Sequence, residues 1–600
     1  MALLRDSTPV IGAALLACCA GPAAYAGGDN YKNFDTAVYC RVYEVREMKD
    51  PAWLESRWEA ISKYVKIDKI YLETHRDTIV VDQATLDAAK KFFLSKGLKV
   101  AGGITATINE RNQFQTYCYS DPEQRAKFKQ IVQFTAKNFD EVILDDFFFT
   151  NCKCDKCIRA KGDKSWTQFR LELMDQAGRE LVMDAAREVN PKVKVTIKYP
   201  NWYDHFQNLG FNLETQPKYF DKIYTGTETR DAVYSNQHLQ PYHGYSIIRY
   251  FDNIKPGGNA GGWVDSGGMR HLDRYTEQLW LTLFAKAPEI TMFDIRQLYQ
   301  PVPNGDGTVT QDSMLARLAG YTFEQVDGFI GQLGKPIGVK VYKPFHSSGD
   351  DFLPSYLGQA GIPMDIVPRF PAEAKTVLLT EASAKDPNLV GKIRKQLMDG
   401  KDVVITSGLL NKLQGKGIED IVELDYTGKT VATQDFLVRF MTAHADTPIL
   451  IPNIRYATND AWEIVSGLTS PSKTSGSPIL LQCKYSNGTL YVLTIPQAQG
   501  DIYALPAEVL NPIREVLSRG LFVRLEGPSQ VALFVYDNDS FIVESFLDTF
   551  GAARVITDKR ITKIRDLVTG QEIVGQPAPG GIAFNTMVRP GGYRVFKAVQ

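Results

Sequence analysis

The 600-residue sequence lacks the features that mark a membrane protein or a nucleic-acid-binding protein. After residue 26 no uninterrupted apolar stretch reaches about eighteen residues, so we expect no transmembrane helix. The 68 basic and 69 acidic residues give a formal net charge of −1 at pH 7. This balance leaves no basic field to hold a phosphate backbone, and we therefore expect no nucleic acid as a partner.

Several catalytic motifs are also missing. The 7 histidines show no H-x-x-x-H or comparable metal spacing, so we expect no catalytic cofactor. No Gly-x-Ser-x-Gly elbow is present, which argues against a serine hydrolase on this chain. The glycine-rich segment Pro256–Trp263 lacks the Lys-Ser/Thr ending of a phosphate loop, and it predicts a mobile or tightly turning loop over a site.

The first 26 residues have the pattern of a secretory signal peptide. Arg5 precedes an apolar run over residues 11–20, and Ala24-Tyr25-Ala26 is a small-x-small cleavage site. Cys18 and Cys19 leave a lipoprotein as the alternative, although the residues before them fit a lipidation site poorly. The pattern predicts a periplasmic or secreted protein.

From residue 27 to about residue 330, short apolar runs alternate with amphipathic helical stretches. This alternation is typical of parallel strands crossed by helices, and eight such units over roughly 260 residues favour a closed (β/α)8 TIM barrel. The eight runs are Thr36–Val45, Lys69–Thr74, Leu98–Ile104, Glu141–Phe147, Val193–Tyr199, Lys222–Thr225, Ser246–Phe251 and Glu289–Phe293. Barrels of this kind react at the carboxyl ends of their strands.

Two further domains are predicted after the barrel. Residues 331–470 contain buried strands and a connecting helix, which indicates a second α/β domain. Residues 471–600 contain shorter strands and frequent turn signals, which favour a C-terminal β-sandwich.

Four cysteines have metal-ligand spacing. Cys152, Cys154 and Cys157 follow the fourth strand, and Cys118 lies in the loop after the third. Neighbouring barrel strands bring these two loops together, and four thiolates can form a closed tetrahedral zinc site of structural type. The alternative is a pair of disulfides, although Cys152 and Cys154 are too close for an easy mutual bridge.

This cysteine knuckle and the domain order resemble the family 42 β-galactosidases. The resemblance implies a four-cysteine zinc site in the barrel, a glutamine-amidotransferase-like trimerisation domain and a small β-sandwich, and with them a homo-oligomer (dimer or trimer). The segments that look like the middle domain are Gly349–Leu357, Gly361–Pro363 and Gly400–Leu409. No nucleophilic cysteine is present there and Ser407 follows the strand, so we expect that domain to be catalytically silent.

The sequence departs from this family at the end of strand four. The family has an Asn-Glu pair there, in which the Glu is the general acid, whereas this chain has Asp145-Asp146-Phe147. Phe147 cannot donate a proton, so the family's β-galactosidase activity does not carry over.

Three carboxylates are the leading catalytic candidates. Glycoside hydrolysis needs two carboxyl groups, one to protonate the leaving oxygen and one to attack the anomeric carbon or activate water. Asp145 and Asp146 end strand four, and Glu228 follows strand six among hydroxyl groups and a cation. We expect one aspartate to be the nucleophile or charge stabiliser and Glu228 the proton donor, as in other barrel glycosidases that act on α-linked sugars. The alternative is that these acids only pair with Arg230 or Arg249, or cap a loop.

Further polar and aromatic residues at strand ends are predicted to bind a carbohydrate substrate. They are Glu73, His75, Arg76, Lys198, Tyr199, Trp202, Arg249, Asp252, Trp263 and Asp294. We expect both tryptophans to lie in loops, where their rings would either stack on sugar rings or pack only against the loops.

The sequence therefore predicts an exported glycoside hydrolase that cleaves a poly- or oligosaccharide with paired carboxylates. The alternative is a noncatalytic carbohydrate-binding or assembly protein that has kept the barrel and lost its acid. The cluster of Asp145, Asp146 and Glu228 favours the enzyme, because a barrel without activity gains nothing from clustered acids.

Overall fold

The computed structural model describes residues 30–300, 314–469 and 476–599. The predicted signal peptide, with Cys18 and Cys19, lies outside the described residues. Within the described part of the chain, no helix has both the length and the apolar character needed to cross a bilayer.

Eight parallel strands form a closed barrel, which confirms the predicted (β/α)8 fold. They are β1 (Asp35–Cys40), β2 (Lys69–Arg76), β3 (Lys99–Ile104), β4 (Glu141–Leu144), β5 (Lys194–Tyr199), β6 (Lys222–Gly226), β7 (Asn259–Asp265) and β8 (Glu289–Phe293). Neighbours in sequence are neighbours in the sheet, and β1 pairs with both β8 and β2, which closes the barrel.

Helices surround this barrel and complete the βα units. They are α1 (Val42–Glu47), α2 (Pro51–Ser62), α3 (Gln83–Ser95), α4 (Pro122–Asn138), α5 (Asp155–Lys161), α6 (Trp166–Ala177), α7 (Ala185–Val189), α8 (Phe206–Leu209), α9 (Gln216–Tyr219), α10 (His243–Ile254), α11 (Asp273–Phe284), α12 (Ile295–Tyr299) and α13 (Met314–Ile330). A π-helical segment, Gly178–Asp184, joins α6 to α7. Several starts are capped as the sequence dictates; Asp121 accepts a hydrogen bond from the amide of Glu123, and Pro122 occupies the first turn.

The predicted seventh strand is wrong. Ser246–Phe251 lies inside α10, and the strand is Asn259–Asp265, within the segment that we predicted to be a loop over the site. The glycines of this strand allow close packing: a Cβ at Gly261 would lie 2.5 Å from the hydroxyl of Tyr224 inside the barrel. In the sequence these glycines indicate a turn. In the structure they leave space for neighbouring side chains.

The second domain is built on a nine-stranded mixed sheet. Its strands are β9 (Val339–Tyr342), β10 (Met364–Val367), β11 (Thr376–Leu379), β12 (Asp402–Thr406), β13 (Leu424–Val438), β14 (Met441–Tyr456), β15 (Trp462–Leu468), β16 (Gly476–Tyr485) and β17 (Gly488–Leu493), and its helices are α14 (Leu353–Gln359), α15 (Leu389–Met398) and α16 (Ser407–Leu413). The order is β10-β9-β11-β12-β17-β16-β15-β13-β14, and the first five strands are parallel. Because β16 and β17 pair with this sheet, the domain continues past the boundary that we predicted at residue 470.

The C-terminal domain is β-rich, as predicted, and follows α17 (Ala507–Leu517). Its strands are β18 (Val523–Glu526), β19 (Val531–Tyr536), β20 (Ser540–Ser545), β21 (Gly551–Thr557), β22 (Lys563–Asp566), β23 (Glu572–Val574), β24 (Gln576–Ala578), β25 (Gly581–Val588) and β26 (Tyr593–Ala598). Five of these strands and the two-residue strand Pro336–Ile337 form a six-stranded antiparallel sheet, and the other four form a second antiparallel sheet that shares one apolar core with it.

Buried polar contacts join the domains to the barrel. The indole nitrogen of Trp280 on α11 donates to Oε1 of Glu544 on β20 over 2.6 Å. The hydroxyl of Tyr536 donates to the carbonyl of Phe284 over 2.9 Å. These contacts hold the C-terminal domain against the helical layer outside β7 and β8.

Candidate active site

Three neighbouring strands bring two acids and one lysine together at the mouth of the barrel. Lys198 at the end of β5 donates to Oδ2 of Asp146 over 2.6 Å and to Oε1 of Glu228 over 2.8 Å. Asp146 follows β4 and Glu228 follows β6, the two strands that flank β5. All three side chains are less than a tenth exposed. The predicted catalytic carboxylates therefore share a single ammonium group, and Lys198 lies between them.

Asp145 faces the same mouth and is held more rigidly than Asp146. Its Oδ2 accepts hydrogen bonds from Arg76 Nη2 at 3.0 Å and from the hydroxyl of Thr105 at 3.1 Å. Its Oδ1 lies 3.4 Å from the ammonium of Lys198. Burial alone would raise the pKa of Asp145, but Lys198 and Arg76 hold that pKa below its ordinary value. Asp145 is thus a fixed anion.

Glu73 and Arg76, both predicted at the end of β2, form the wall beside Asp145. Arg76 Nε lies 3.0 Å from each carboxylate oxygen of Glu73. The hydroxyl of Tyr39 donates to Glu73 over 2.8 Å, and the amide of Val42 donates to it over 2.6 Å. This network satisfies the buried charges and fixes the guanidinium that holds Asp145.

The two aspartates differ in proton affinity although they are adjacent in sequence. The pKa of Asp146 is raised to about 7: burial has the largest effect, Lys198 opposes it, and the nearby charges of Asp145 and Glu228 add to the rise. Burial opposes the charge of Lys198, but the three surrounding carboxylates raise its pKa above the ordinary value. Near neutral pH the site therefore has a charged lysine and one carboxyl group poised between its two protonation states.

Glu228 has one oxygen without a partner. Its Oε2 is buried and receives no hydrogen bond from the described residues. Asn201 Nδ2 donates to the backbone carbonyl of Glu228 over 2.7 Å and so fixes the turn that carries it. Gly226 leaves the space for this carboxylate, because a Cβ there would lie 2.5 Å from Oε2.

Trp263 forms the floor of the site. The prediction that it lies in a loop is wrong. It belongs to β7 and is 1% exposed. The ammonium of Lys198 lies 4.4 Å from the centre of its ring, and the ring of Tyr39 packs 4.7 Å away. The indole therefore packs beneath the lysine and its two carboxylates as a cation–π partner.

Asp265 and its ion pair with Arg230 were not predicted from the sequence. Asp265 ends β7, and Arg230 binds both of its oxygens at 2.9 Å and 2.8 Å. Arg230 therefore pairs with Asp265, and Glu228 pairs with Lys198, contrary to the alternative in which Arg230 or Arg249 neutralises Glu228. An apolar run ending in an acid, Trp263-Val264-Asp265, was the signal that could have found it.

Two predicted substrate-binding residues face away from the mouth. His75 contacts the carbonyl of Thr105 at 2.7 Å and the hydroxyl of Tyr117 at 3.0 Å, on the outer side of β2. Tyr199 packs on Phe251 with ring centres 5.1 Å apart, in the layer between barrel and helices. Successive side chains of a strand alternate between faces, so Lys198 points inward and Tyr199 outward.

Arg249 and Asp252 are also outside the site, because they lie on α10 and not after a strand. Arg249 donates to Asp252 over 2.8 Å and to Asp365 of the middle domain over 3.2 Å. Asp252 also accepts from Asn259 over 3.1 Å. These groups connect the barrel to the second domain.

The two remaining candidates lie at the carboxyl end of the barrel. Asp294 follows β8, forms an ion pair with Arg41 at 2.8 Å and caps α12. Trp202 follows β5 in a half-buried position, and its ring stacks parallel to that of His205 at 6.3 Å. Neither contacts the acids bound to Lys198 directly.

The four predicted cysteines converge. The sulfur of Cys118 lies 3.7 Å from that of Cys154 and 3.5 Å from that of Cys157, and all four sulfurs, including Cys152, lie within 4.8 Å of one another. All four are free thiols in the structure, and no disulfide joins them. A zinc ion with bonds of about 2.3 Å to four thiolates separates them by about 3.8 Å, so these residues fit that ion. The cluster could hold a metal.

Comparisons with known proteins place the chain in a family. The model described as "Probable glycosyl hydrolase, catalytic domain" matches residues 24–332, just over half of the chain. The chain therefore belongs to this glycosyl hydrolase family and is a glycosidase. The corresponding C-terminal domain matches residues 522–598, and the second domain of SSO3021 matches residues 334–498.

The chain is also similar to one further protein in sequence and to solved structures in fold. The uncharacterized protein SSO3021 of Saccharolobus solfataricus is 24% identical over 547 residues, which cover 82% of this chain and 87% of that protein. Gan42B, a GH42 β-galactosidase from G. stearothermophilus, has a TM-score of 0.63 at 12% identity, covering 95% of this chain and 99% of its own. Exo-β-1,4-mannosidase Op5Man5 from Opitutaceae bacterium strain TAV5 has a TM-score of 0.51 at 11% identity over 80% and 94% of the two chains. The closed barrel and the β-rich C-terminal domain expected from the resemblance to family 42 are thus confirmed.

Proposed function

We propose that Asp146 and Glu228 are the catalytic pair of a retaining glycosidase that acts on an oligo- or polysaccharide. The observation that carries the proposal is the single ammonium of Lys198, bound to Asp146 at 2.6 Å and to Glu228 at 2.8 Å. Two oxygens that share one donor cannot be farther apart than these hydrogen bonds laid end to end. For Oδ2 of Asp146 and Oε1 of Glu228, that limit agrees with the separation of about 5–5.5 Å typical of retaining enzymes and is shorter than the roughly 6.5–9.5 Å of inverting ones.

In this proposal Asp146 is the proton donor, because its pKa of about 7 lets it hold a proton near neutral pH. Glu228 is the nucleophile, because its Oε2 is buried without a partner among the described residues. These roles reverse the assignment expected from the sequence. The physical reason for the reversal is that burial raises the pKa of Asp146, which position along the chain does not reveal.

The proposed reaction has two balanced steps. Oε2 of Glu228 attacks the anomeric carbon while Asp146 protonates the glycosidic oxygen, so the leaving sugar departs as an alcohol and a glycosyl ester forms. Asp146, now a carboxylate, then takes a proton from water, which attacks the anomeric carbon and releases Glu228. The pair carries one negative charge before and after each step, and the ammonium of Lys198 compensates that charge throughout.

The substrate class follows from the relatives in part. The preference for α-linked sugars that the sequence suggested has no counterpart in the comparisons, where the solved relatives are named for β-galactoside and β-1,4-mannoside cleavage. We therefore propose a β-linked neutral hexoside. Substrate panels for this chain should nevertheless contain both anomers, because the carboxylate geometry does not select one.

Two further proposals concern assembly and location. Cys118, Cys152, Cys154 and Cys157 would hold a structural zinc ion that ties the loop after β3 to the loop after β4. The pattern of residues 1–26 supports export to the periplasm or the medium. A homo-oligomer, a dimer or trimer, stays part of the proposal, and sedimentation at micromolar concentration tests it.

The direct test is hydrolysis of aryl α- and β-glycosides and of polysaccharides by wild type, Asp146→Asn, Glu228→Gln and Asp145→Asn. We expect losses of about a thousandfold or more for the first two variants in folded protein. Tyr321→Phe, at an exposed position of α13, is the control and should keep full activity. Binding of glycans without cleavage by wild type would instead favour the noncatalytic carbohydrate-binding protein.

A further inference from the structure

A second cavity lies at the carboxyl end of the barrel, and all three domains border it. It has a volume of about 500 Å³. The barrel contributes the loop that follows Glu228, the middle domain contributes α14, and the C-terminal domain contributes Gln530 and Phe546. Its lining contains none of Asp145, Asp146, Lys198 and Glu228, so it is distinct from the catalytic site.

One loop borders both the cavity and the catalytic pocket. Arg230 faces the catalytic side, where it binds Asp265 at the end of β7. The next residue, Asp231, lines the cavity and fixes its own loop by accepting from the amides of Val233 and Tyr234 at 2.8 Å and 2.9 Å. The cavity and the catalytic site are therefore adjacent along this loop.

The lining combines aromatic rings with amide groups. Tyr234 is 49% exposed at the rim, and Tyr356 and Tyr503 pack together inside with ring centres 5.5 Å apart. The hydroxyl of Tyr503 donates to Gln240 over 3.0 Å. Flat rings that stack and amides that both donate and accept are suited to neutral sugar rings, which have apolar faces and hydroxyl edges.

A buried acceptor in this lining has no partner. Gln359 at the end of α14 is 3% exposed, and its Oε1 receives no hydrogen bond from the described residues. A buried carbonyl oxygen without a donor is unfavourable, so a donor is expected to occupy the space in front of it. Both nearby arginines are already engaged, because Arg274 is paired with Glu277 at 2.8 Å and the guanidinium of Arg270 lies 4.6 Å from the centre of the Tyr234 ring, and this disfavours an anionic ligand.

We infer that this cavity is an accessory subsite that holds a sugar ring of an extended neutral glycan, with a ring hydroxyl donating to Gln359 and a ring face against Tyr234. The inference rests on the proposed function, because the same glycan would present its scissile bond to Asp146 and Glu228. It names the substrate class as a chain of several sugars, longer than a disaccharide.

The test compares substrates of different length. Wild type, Tyr234→Ala, Gln359→Leu and the control Tyr321→Ala are assayed on 4-nitrophenyl glycosides and on β-1,4-linked manno- and galacto-oligosaccharides of two to six units. We expect kcat/KM of wild type to rise with length, and the first two variants to lose about tenfold on the longest substrates only, the effect of one lost contact. Tyr321→Ala, exposed on α13, should match wild type on all of them.

The outcomes separate this inference from the proposed function. Cleavage of nitrophenyl glycosides without any dependence on chain length, or an equal loss by both variants on short and long substrates, overturns the subsite and leaves the catalytic pair intact. If wild type cleaves nothing, the proposed function fails, and calorimetry with the six-unit oligosaccharides decides the subsite. Binding that Tyr234→Ala and Gln359→Leu weaken supports the subsite, and no binding to wild type overturns it.

Discussion

Lys198 donates a 2.6 Å hydrogen bond to Asp146 at a position where the two side chains are only 3% and 9% exposed. The pair connects β5 to β4, and the same ammonium reaches Glu228 on the other side. A buried charge so placed cannot be removed without leaving two acids uncompensated. The chemistry of this barrel mouth therefore depends on one lysine.

The pKa of Asp146 predicts the pH profile. A proton donor works only while it holds its proton, so kcat/KM should fall about tenfold per pH unit above about 7, the pKa of Asp146. Hydrolysis of an aryl glycoside with a poor leaving group, measured from pH 5 to 9, checks this limb. A rate that stays level up to pH 9 would mean that Asp146 is not the donor.

Replacing Lys198 should move this limb. Lys198 lowers the pKa of Asp146, so Lys198→Met should raise that pKa and shift the alkaline limb to higher pH, with an activity loss of about 100-fold because the acids lose their counter-charge. Lys343→Met is the matched control, a buried lysine paired with Asp351 in the middle domain. It should leave the limb unmoved, and an unshifted limb in both variants would refute the coupling.

The space at Gly226 predicts a steric variant of the nucleophile. Gly226→Ala would place a methyl group 2.5 Å from Oε2 of Glu228, and a displacement of about 1 Å costs about 100-fold in rate. Gly328→Ala on α13, which meets nothing within 4 Å, should keep full activity and gain about 0.5–1 kcal/mol of stability. Full activity in folded Gly226→Ala would show that Glu228 Oε2 is not the reacting atom.

The cysteine cluster predicts a bound metal. Purified protein should contain one zinc ion per chain, and Cys157→Ser should lose it with a lower Tm, because a closed four-thiolate site stabilises the loops that it joins. Cys483→Ala, a buried free cysteine of the middle domain, should retain the ion. Metal analysis by mass spectrometry decides this, and metal-free protein with four reactive thiols would disprove the site.

Much of the site could be predicted because carboxyl ends of parallel strands meet at one edge. Asp145, Asp146 and Glu228 follow short strands that can be recognised in the sequence. The alternation of side chains, applied to Lys198 and Tyr199, would also have excluded the tyrosine.

Other features could not be found from the pattern alone. The glycines of β7 indicated a turn, although Gly261 serves the close approach of Tyr224. The register shifts between Glu73 and His75, and this irregularity lets both Glu73 and Arg76 reach the mouth while His75 faces outward. Asp265 was not predicted because the strand that carries it was not predicted.

The measurement that tests the catalytic pair most directly is chemical rescue of Glu228→Ala and Asp146→Ala by azide on an activated aryl glycoside. Azide replaces a missing nucleophile from the opposite face of the ring, so Glu228→Ala should regain activity and release a glycosyl azide of inverted configuration. Asp146→Ala should give the azide of retained configuration, because the glycosyl ester on Glu228 still forms. The same configuration from both variants, or no rescue of either while both are folded, would contradict the assignment of Glu228 as nucleophile and Asp146 as proton donor.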